Sequence, residues 1–458
     1  MSSLGTPERP LRVAIVGSGP SGFYAADSLL KQIINVKVDM FEKLPVPFGL
    51  VRYGVAPDHL KIKNVTKVFE KTAENPKFTF LGNVAVGKNI TVLELQKFYD
   101  AVIFAYGAES DKPLGINGEA LAGSYTATEF VAWYNGHPDF QNRQFDFSQE
   151  VAVIIGQGNV AMDVARILCK TIEELKVTDI SQHALKALAG SKIKEVHVYG
   201  RRGPVQAAFT SPEIKEMGEL TDCYPVVSPE DLKLNEASLK ELEDPTNTGR
   251  KKNFEILTHL STIEPNNRKR RFVLHFGRSP VEITGQGKVQ KIRFEVNELT
   301  GEANHQKVRG TGQFEEINGG MIFRSVGYNG VPIEGLPFSE KAGTVPNKAG
   351  RVMESEKIFK GCYVAGWIKR GPSGVIGTNK PCSEETVKSI LEDLGQLNPC
   401  ETPSTEAVLK FLKDKGVPVV SFVDWKKIDA SEIQNGAAVG KPREKFTSVR
   451  GMLSVIGS

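Results

Sequence analysis

Val13-Ala14-Ile15-Val16-Gly17-Ser18-Gly19-Pro20-Ser21-Gly22 decides the fold. Four apolar residues run into a Gly-x-Gly-x-x-Gly turn. Gly22 to Lys31 then has helical composition, and Val36 to Phe41 alternates as a second strand does. This is one βαβ unit. In such a turn Gly17 permits the tight bend, Gly19 lets a pyrophosphate approach the backbone, and Gly22 lets helix and strand pack closely. The helix N-terminus adds N–H donors and partial positive charge. Glu42 lies 20 residues beyond Gly22, where an acid accepts hydrogen bonds from a free ribose diol.

The pattern recurs as Gly156-Gln157-Gly158-Asn159-Val160-Ala161 after the run Val151 to Ile155. The residues behind this second loop are basic: Arg201-Arg202, between Gly200 and Gly203, at the end of Val196-His197-Val198-Tyr199. An arginine pair suits a ribose phosphate. The two loops together predict one dinucleotide with an unmodified ribose and one with a 2′-phosphate, FAD and NADP(H).

Alternating strands and helices predict an α/β protein with two doubly wound, Rossmann-like dinucleotide-binding domains. Two strands closed by glycine, Ala101 to Gly107 and Met321 to Gly327, mark the domain edges. The NADP-binding domain is expected at 109–328, inserted in a discontinuous FAD-binding domain of 1–108 and 329–458. A helix is expected from about Val160 to Lys170. Thr178 to Leu188 reads as an added helix with Thr178 or Asp179 as its cap. Residues 229–271, charged and poor in aromatics, read as a helix and an exposed loop. A turn at Pro399 to Thr405 precedes a helix ending near Lys415.

A chain of 458 residues with 40% hydrophobic residues accommodates two or three domains. Its net charge of +4 argues against nucleic acid as a partner, and no apolar run reaches the ~20 residues of a membrane span. Cys169, Cys223, Cys362, Cys382 and Cys400 are scattered, with no spacing for a metal or an iron–sulfur cluster. Met1 to Pro10 is short and polar and reads as no targeting segment. The expected location is cytoplasmic, or the mitochondrial matrix if a transit peptide has been removed.

Taken together, the motifs resemble the NADPH–ferredoxin reductases of the adrenodoxin-reductase type. Besides the two loops, the resemblance rests on Pro47-Phe48-Gly49-Leu50-Val51-Arg52 and Gly54-Val55-Ala56-Pro57-Asp58-His59. It rests also on Asp163-Val164-Ala165-Arg166, Gly200-Arg201-Arg202-Gly203-Pro204, Gly366 to Ile376, and Gly440-Lys441-Pro442-Arg443. Ser21 and Ser373 stand where small residues are expected.

The resemblance implies a glutathione-reductase-like fold and an FAD enzyme passing electrons singly from NADPH to an acidic ferredoxin- or adrenodoxin-like iron–sulfur protein. It assigns Ser21, Glu42, Leu50 and Val86 to FAD, and Trp367 with Gly374, Val375 and Ile376 to cover of the isoalloxazine ring. It assigns Gln157, Gly158, Asn159, Val160, Arg201, Arg202 and Glu213 to NADP. His59 and Glu213 are the candidate catalytic groups; a structural hydrogen bond in the turn is the alternative for His59. Docking is expected at Lys215, Arg250, Lys251 and Lys252. Phe23 to Asp58 holds no cysteine pair of the disulfide-reductase kind, so hydride arriving there cannot leave through a protein disulfide. The alternative function is a flavoprotein reductase acting on a small molecule or another subunit, as in the glutamate-synthase small subunit. The cysteine-rich motifs that precede the FAD loop in that relative are missing here.

Overall fold

The computed structural model describes residues 4–457, so Met1 to Ser3 of the polar N-terminus lie outside the described residues. The chain forms two compact units. One comprises the residues up to Val55, His59–Ser110 and those from Gly327 onward; the other comprises Ala56–Asp58 and Asp111–Val326.

In the first unit Leu11–Val16 is completely buried and lies between Ala101–Phe104 and Val36–Glu42, parallel to both. Its apolar run from Val13 to Val16 is what a strand covered on both faces requires, and Arg12 is buried there only because it pairs with Asp39 at 2.6 Å. Each such apolar side chain contributes about 1.5–3 kcal/mol when buried. Phe78–Gly82 extends the sheet on one side and Lys357–Val364 on the other, both parallel. Arg351–Glu354 and Asn347–Lys348 complete seven strands in antiparallel fashion. The parallel strands therefore end together near Val16, Glu42, Phe104 and Val364, the edge at which open α/β sheets bind ligands.

In the second unit six parallel strands run in the order Ser124–Thr126, Met321–Arg324, Val151–Ile155, Glu195–Tyr199, Arg270–His275, Cys223–Val227. A three-stranded antiparallel sheet, Arg278–Thr284, Lys291–Thr300 and Lys307–Asn318, packs on it through Ile283, Val289, Ile292 and Phe294. There the Tyr199 ring stacks on Phe294 at 3.8 Å and on His275 at 4.1 Å.

Two local expectations change. The added helix starts later than expected, as Gln182–Ala189 with Ser181 in the N-cap position, and a separate short helix, Ile172–Leu175, precedes it. Thr178 does not cap: its hydroxyl donates to the Leu175 carbonyl and accepts from Ile180 N, closing the turn between them. The 229–271 stretch is mostly regular, with helices Glu236–Glu243 and Thr248–Leu260 before the strand that begins at Arg270. Apolar burial of Leu257 and Leu260 holds the longer helix; the shorter one is held by polar contacts.

Candidate functional site

The first glycine loop joins Leu11–Val16 to the helix Pro20–Leu30. Gly17 adopts φ 103°, and a Cβ there would lie 2.7 Å from the Ala105 carbonyl oxygen. A Cβ on Gly22 would lie 2.1 Å from the Gly17 carbonyl oxygen, while one on Gly19 would meet nothing within 4 Å. The loop is thus tight on its protein side and open at Gly19, beside the free N–H groups of the helix. That is the space a pyrophosphate needs. Phe48 N donates to the Ser18 carbonyl across this loop. Phe48 itself sits at φ 85°, a conformation costly for a non-glycine residue, and is buried against Phe23 and Trp425.

Glu42 is half-buried at the end of its strand. Its Oε2 accepts from Ser18 Oγ at 2.6 Å and Ser18 N at 3.2 Å, and its Oε1 from Leu44 N at 3.1 Å. Burial pushes its carboxyl above the usual range, against the opposing pull of the Ser18 and Leu44 donors and Lys43. A carboxylate offers about four lone-pair sites, so these donors leave acceptor capacity for a ribose hydroxyl.

Ser21 is different. Its hydroxyl donates to Asn379 Oδ1 at 3.0 Å, and its carbonyl accepts from Ser383 Oγ at 2.9 Å. The side chain ties the loop to the helix Asn379–Glu392, and the hydroxyl oxygen keeps acceptor capacity for a ligand donor. Leu50 is 43% exposed at the head of the short helix Leu50–Tyr53, and Val86 packs half-buried at the sheet edge. Trp367 stacks on Tyr328 at 5.6 Å and donates Nε1 to the Ser373 carbonyl. Gly374 adopts φ 79°, Val375 is 57% exposed, and Ile376 packs partly inward. An aromatic ring beside a pinned loop can cover a flat ligand. His59 is half-buried, in the N-cap position of Leu60–Lys63, and makes no side-chain capping bond there.

In the second unit Gly156 adopts φ 122°, and a Cβ on it would lie 2.1 Å from the Ser325 carbonyl oxygen. Gly158 is open and caps the helix Asn159–Cys169. The Gln157 amide is engaged: Nε2 donates to the His275 carbonyl at 2.9 Å. Asn159 Oδ1 accepts from Thr210 N at 2.8 Å, and Val160 packs partly into the core. The Gln157 and Asn159 side chains thus help shape the turn 200–210 through one end of each amide, and their backbone N–H groups lie at the open end of the loop. Arg201 and Arg202 are exposed, and among the described residues neither guanidinium has a salt-bridge partner. Their backbone is fixed instead: Asn297 Nδ2 donates to the Arg201 carbonyl and Gly277 N to the Arg202 carbonyl.

Glu213 is buried, with Oε2 3.0 Å from Arg166 Nη1. Arg166 is wholly buried and also meets Asp58 at 2.7 Å and Asp163 at 2.6 Å, with Lys170 on the same Asp58 oxygen at 2.7 Å. Burial opposes ionisation of Asp58, but Arg166 and Lys170 win and hold its carboxyl far below the usual range. In the sequence Arg166 stands out only as part of a motif; its spacing of three from Asp163 on an apolar helix is the signal that could have found it. Lys215 is exposed beside Glu219 at 3.2 Å, and Lys251 and Lys252 are exposed, whereas Arg250 bonds to the buried Glu241 at 2.6 Å.

Residues 11–198 match the family described as pyridine nucleotide-disulphide oxidoreductase. The NADPH-ferredoxin reductase FprA of Mycobacterium leprae is 45% identical, covering 98% of this chain and 99% of its own. The mitochondrial NADPH:adrenodoxin oxidoreductase of Homo sapiens is 42% identical, covering 99% of this chain and 93% of its own. The solved structure of Mycobacterium tuberculosis FprA in complex with NADPH superposes with a TM-score of 0.91 at 43% identity, over 98% of this chain and 100% of that one.

Proposed function

The chain belongs to the family of NADPH–ferredoxin and NADPH:adrenodoxin reductases, and we propose on that footing how its residues divide the work. It is an FAD-dependent oxidoreductase that takes hydride from NADPH and passes electrons to a ferredoxin- or adrenodoxin-type iron–sulfur protein. FAD, when bound, accepts two electrons as hydride and releases them one at a time.

The first unit holds FAD. Backbone N–H groups of Gly19, Ser21 and Gly22 would face the pyrophosphate, and Glu42 would take a ribose hydroxyl. Leu50, Val86, Trp367 and the Gly374-Val375-Ile376 loop enclose the ring and keep water from it. The second unit holds NADP(H). Gln157, Gly158, Asn159 and Val160 present backbone to the pyrophosphate, and Arg201 with Arg202 grips the 2′-phosphate. Glu213, fixed by Arg166, orients the nicotinamide end, and His59 acts from the first unit as a hydrogen-bond donor at the flavin. The observation that carries this reading is the contrast between the two ribose positions: a carboxylate with spare acceptor capacity after one loop, and after the other an arginine pair with no salt-bridge partner among the described residues.

The partner is acidic and docks on Lys215, Lys251 and Lys252. Arg250 contributes less, because Glu241 already neutralises it. Among the described residues no helix is long and apolar enough to cross a membrane.

Anaerobic NADPH addition tests the reading. The flavin absorbance should bleach, and a [2Fe–2S] ferredoxin added with cytochrome c should then restore it while the cytochrome is reduced. A flavin that NADPH leaves oxidised, or one that bleaches but reduces no iron–sulfur protein, overturns it.

A further inference from the structure

The helix Glu236–Glu243 packs against the protein the wrong way round for an amphipathic helix. Its buried side chains are Ser238 and Glu241, while Leu239 is 50% exposed. Glu241 is 1% exposed, yet its carboxylate is completely engaged. Oε2 accepts from Gln206 Nε2 at 3.0 Å and Arg250 Nη1 at 2.6 Å; Oε1 accepts from Gln306 Nε2 at 2.8 Å and Asn304 N at 3.0 Å. Ser238 Oγ supports the same two amides, at 3.1 Å from Gln206 and 3.0 Å from Gln306. Burial would raise the Glu241 carboxyl, but the Gln306, Gln206 and Asn304 donors and Arg250 outweigh it and hold it below the usual range. The group is ionised in place.

Gln206 is the informative partner. It ends the tight turn that begins at Gly203, its own N–H bonding to the Gly203 carbonyl at 3.1 Å. A Cβ on Gly203 would come within 2.9 Å of Gln206 Oε1, so side chain and turn are in close contact. This turn immediately follows Arg201 and Arg202. Asn297, on the antiparallel sheet, and Gly277, in the connection leading into it, hold the arginine carbonyls. Gln206 is the anchor on the other side, and it hangs on Glu241. A buried charged acceptor shared by several donors fixes geometry more strictly than apolar contact does.

We propose that Glu241, with Arg250, is a positioning residue for coenzyme selectivity: it anchors the 203–206 turn through Gln206 and so sets the arginine pair for the 2′-phosphate. The proposal rests on the reading of Arg201 and Arg202 as the phosphate grip. Glu241 touches no coenzyme; its effect passes through the turn. NADH, which lacks the phosphate, is indifferent to it.

The experiment compares Glu241→Gln, Gln206→Ala and the Arg201→Ala, Arg202→Ala double variant, each loaded with FAD, in ferricyanide assays with NADPH and NADH. Glu241→Gln and Gln206→Ala should each lower kcat/KM for NADPH about tenfold, through KM with kcat retained. NADH values should stay within about twofold of the parent. Glu241→Gln added to the arginine double variant should cost little more, because the grip it positions is already gone. Equal losses with both coenzymes, or an unchanged NADPH:NADH ratio in Glu241→Gln and Gln206→Ala, overturns the proposal and leaves the phosphate reading standing. An unchanged ratio in the arginine double variant overturns the phosphate reading and this proposal with it. Should Glu241→Gln fail to fold, Gln206→Ala cuts the same link from the turn and decides.

Discussion

Ser18 donates both its hydroxyl, at 2.6 Å, and its amide, at 3.2 Å, to one carboxylate oxygen of Glu42. The acid expected to greet a ribose is thus also the clamp that holds the phosphate loop against the end of the neighbouring strand. Replacing Glu42 by Ala should remove both roles. Flavin retention should weaken by on the order of 2–4 kcal/mol, from lost charge-assisted hydrogen bonds. Ser18→Ala keeps the ribose acceptor and should weaken retention less, by about 1 kcal/mol. Flavin fluorescence in the filtrate after dilution and ultrafiltration reads both.

Arg201→Ala with Arg202→Ala should remove the preference for NADPH. Both guanidiniums are exposed and have no salt-bridge partner among the described residues, so their loss should leave folding within about 0.5 kcal/mol of the parent. NADPH affinity should fall while NADH use stays nearly constant. Titration of the oxidised protein with NADP+, followed by flavin difference spectra, gives the affinity; a parallel fall for both coenzymes would show the arginines serving the fold.

Acid sensitivity should run through Arg166. The Asp58 carboxyl is held far below its usual range in the folded protein. A depressed folded value contributes stability that is complete above the unfolded value, about 3.9, and is lost as pH falls below it. Arg166→Met should leave Asp58, Asp163 and Glu213 buried with too little positive charge, at a cost of about 3–5 kcal/mol at pH 7. Its stability should then fall less steeply than the parent's on acidification, because protonating those carboxyls relieves their repulsion. Urea unfolding at pH 7 and at about pH 3, inside the window below the unfolded value, distinguishes the two slopes.

Electron delivery to an acidic iron–sulfur partner should depend on salt far more than ferricyanide reduction does. Lys215 is exposed beside Glu219, and Lys251 and Lys252 are exposed. Exposed charges mainly set association rate and are screened beyond ~8–10 Å at ordinary ionic strength. Lys251→Glu or Lys215→Glu should raise the ferredoxin concentration needed for half-maximal cytochrome c reduction and leave ferricyanide turnover intact. Unaltered ferredoxin reduction at low salt would move the docking face elsewhere.

Glu213→Gln should act on the coenzyme and not on the partner. Its carboxylate lies 3.0 Å from the buried Arg166, so the change weakens a charge-assisted hydrogen bond that fixes the side chain in place. Rapid mixing with NADPH should show slower flavin reduction, with ferredoxin reduction slowed only as far as that step limits it.

Much of this protein was legible in its sequence because the deciding signals are local. A strand, a glycine turn and a helix N-terminus occupy about ten consecutive residues, and the turn needs glycine for steric reasons that no distant contact can alter. The charge at each ribose position, Glu42 or Arg201-Arg202, likewise lies directly at the end of its own strand. Which donors and acceptors remain available was decided by tertiary structure. Ser21 reads as a cofactor contact, but Asn379, 358 positions away, takes its hydroxyl proton. Gln157 spends the donor end of its amide on His275, and Arg250 its charge on Glu241. Arg166 reads as one basic residue among many until Asp58, Asp163 and Glu213 close around it. The physical reason is common to all four: a buried polar group must be satisfied by whichever partner the fold brings near, and sequence spacing beyond one helix turn does not say which that will be.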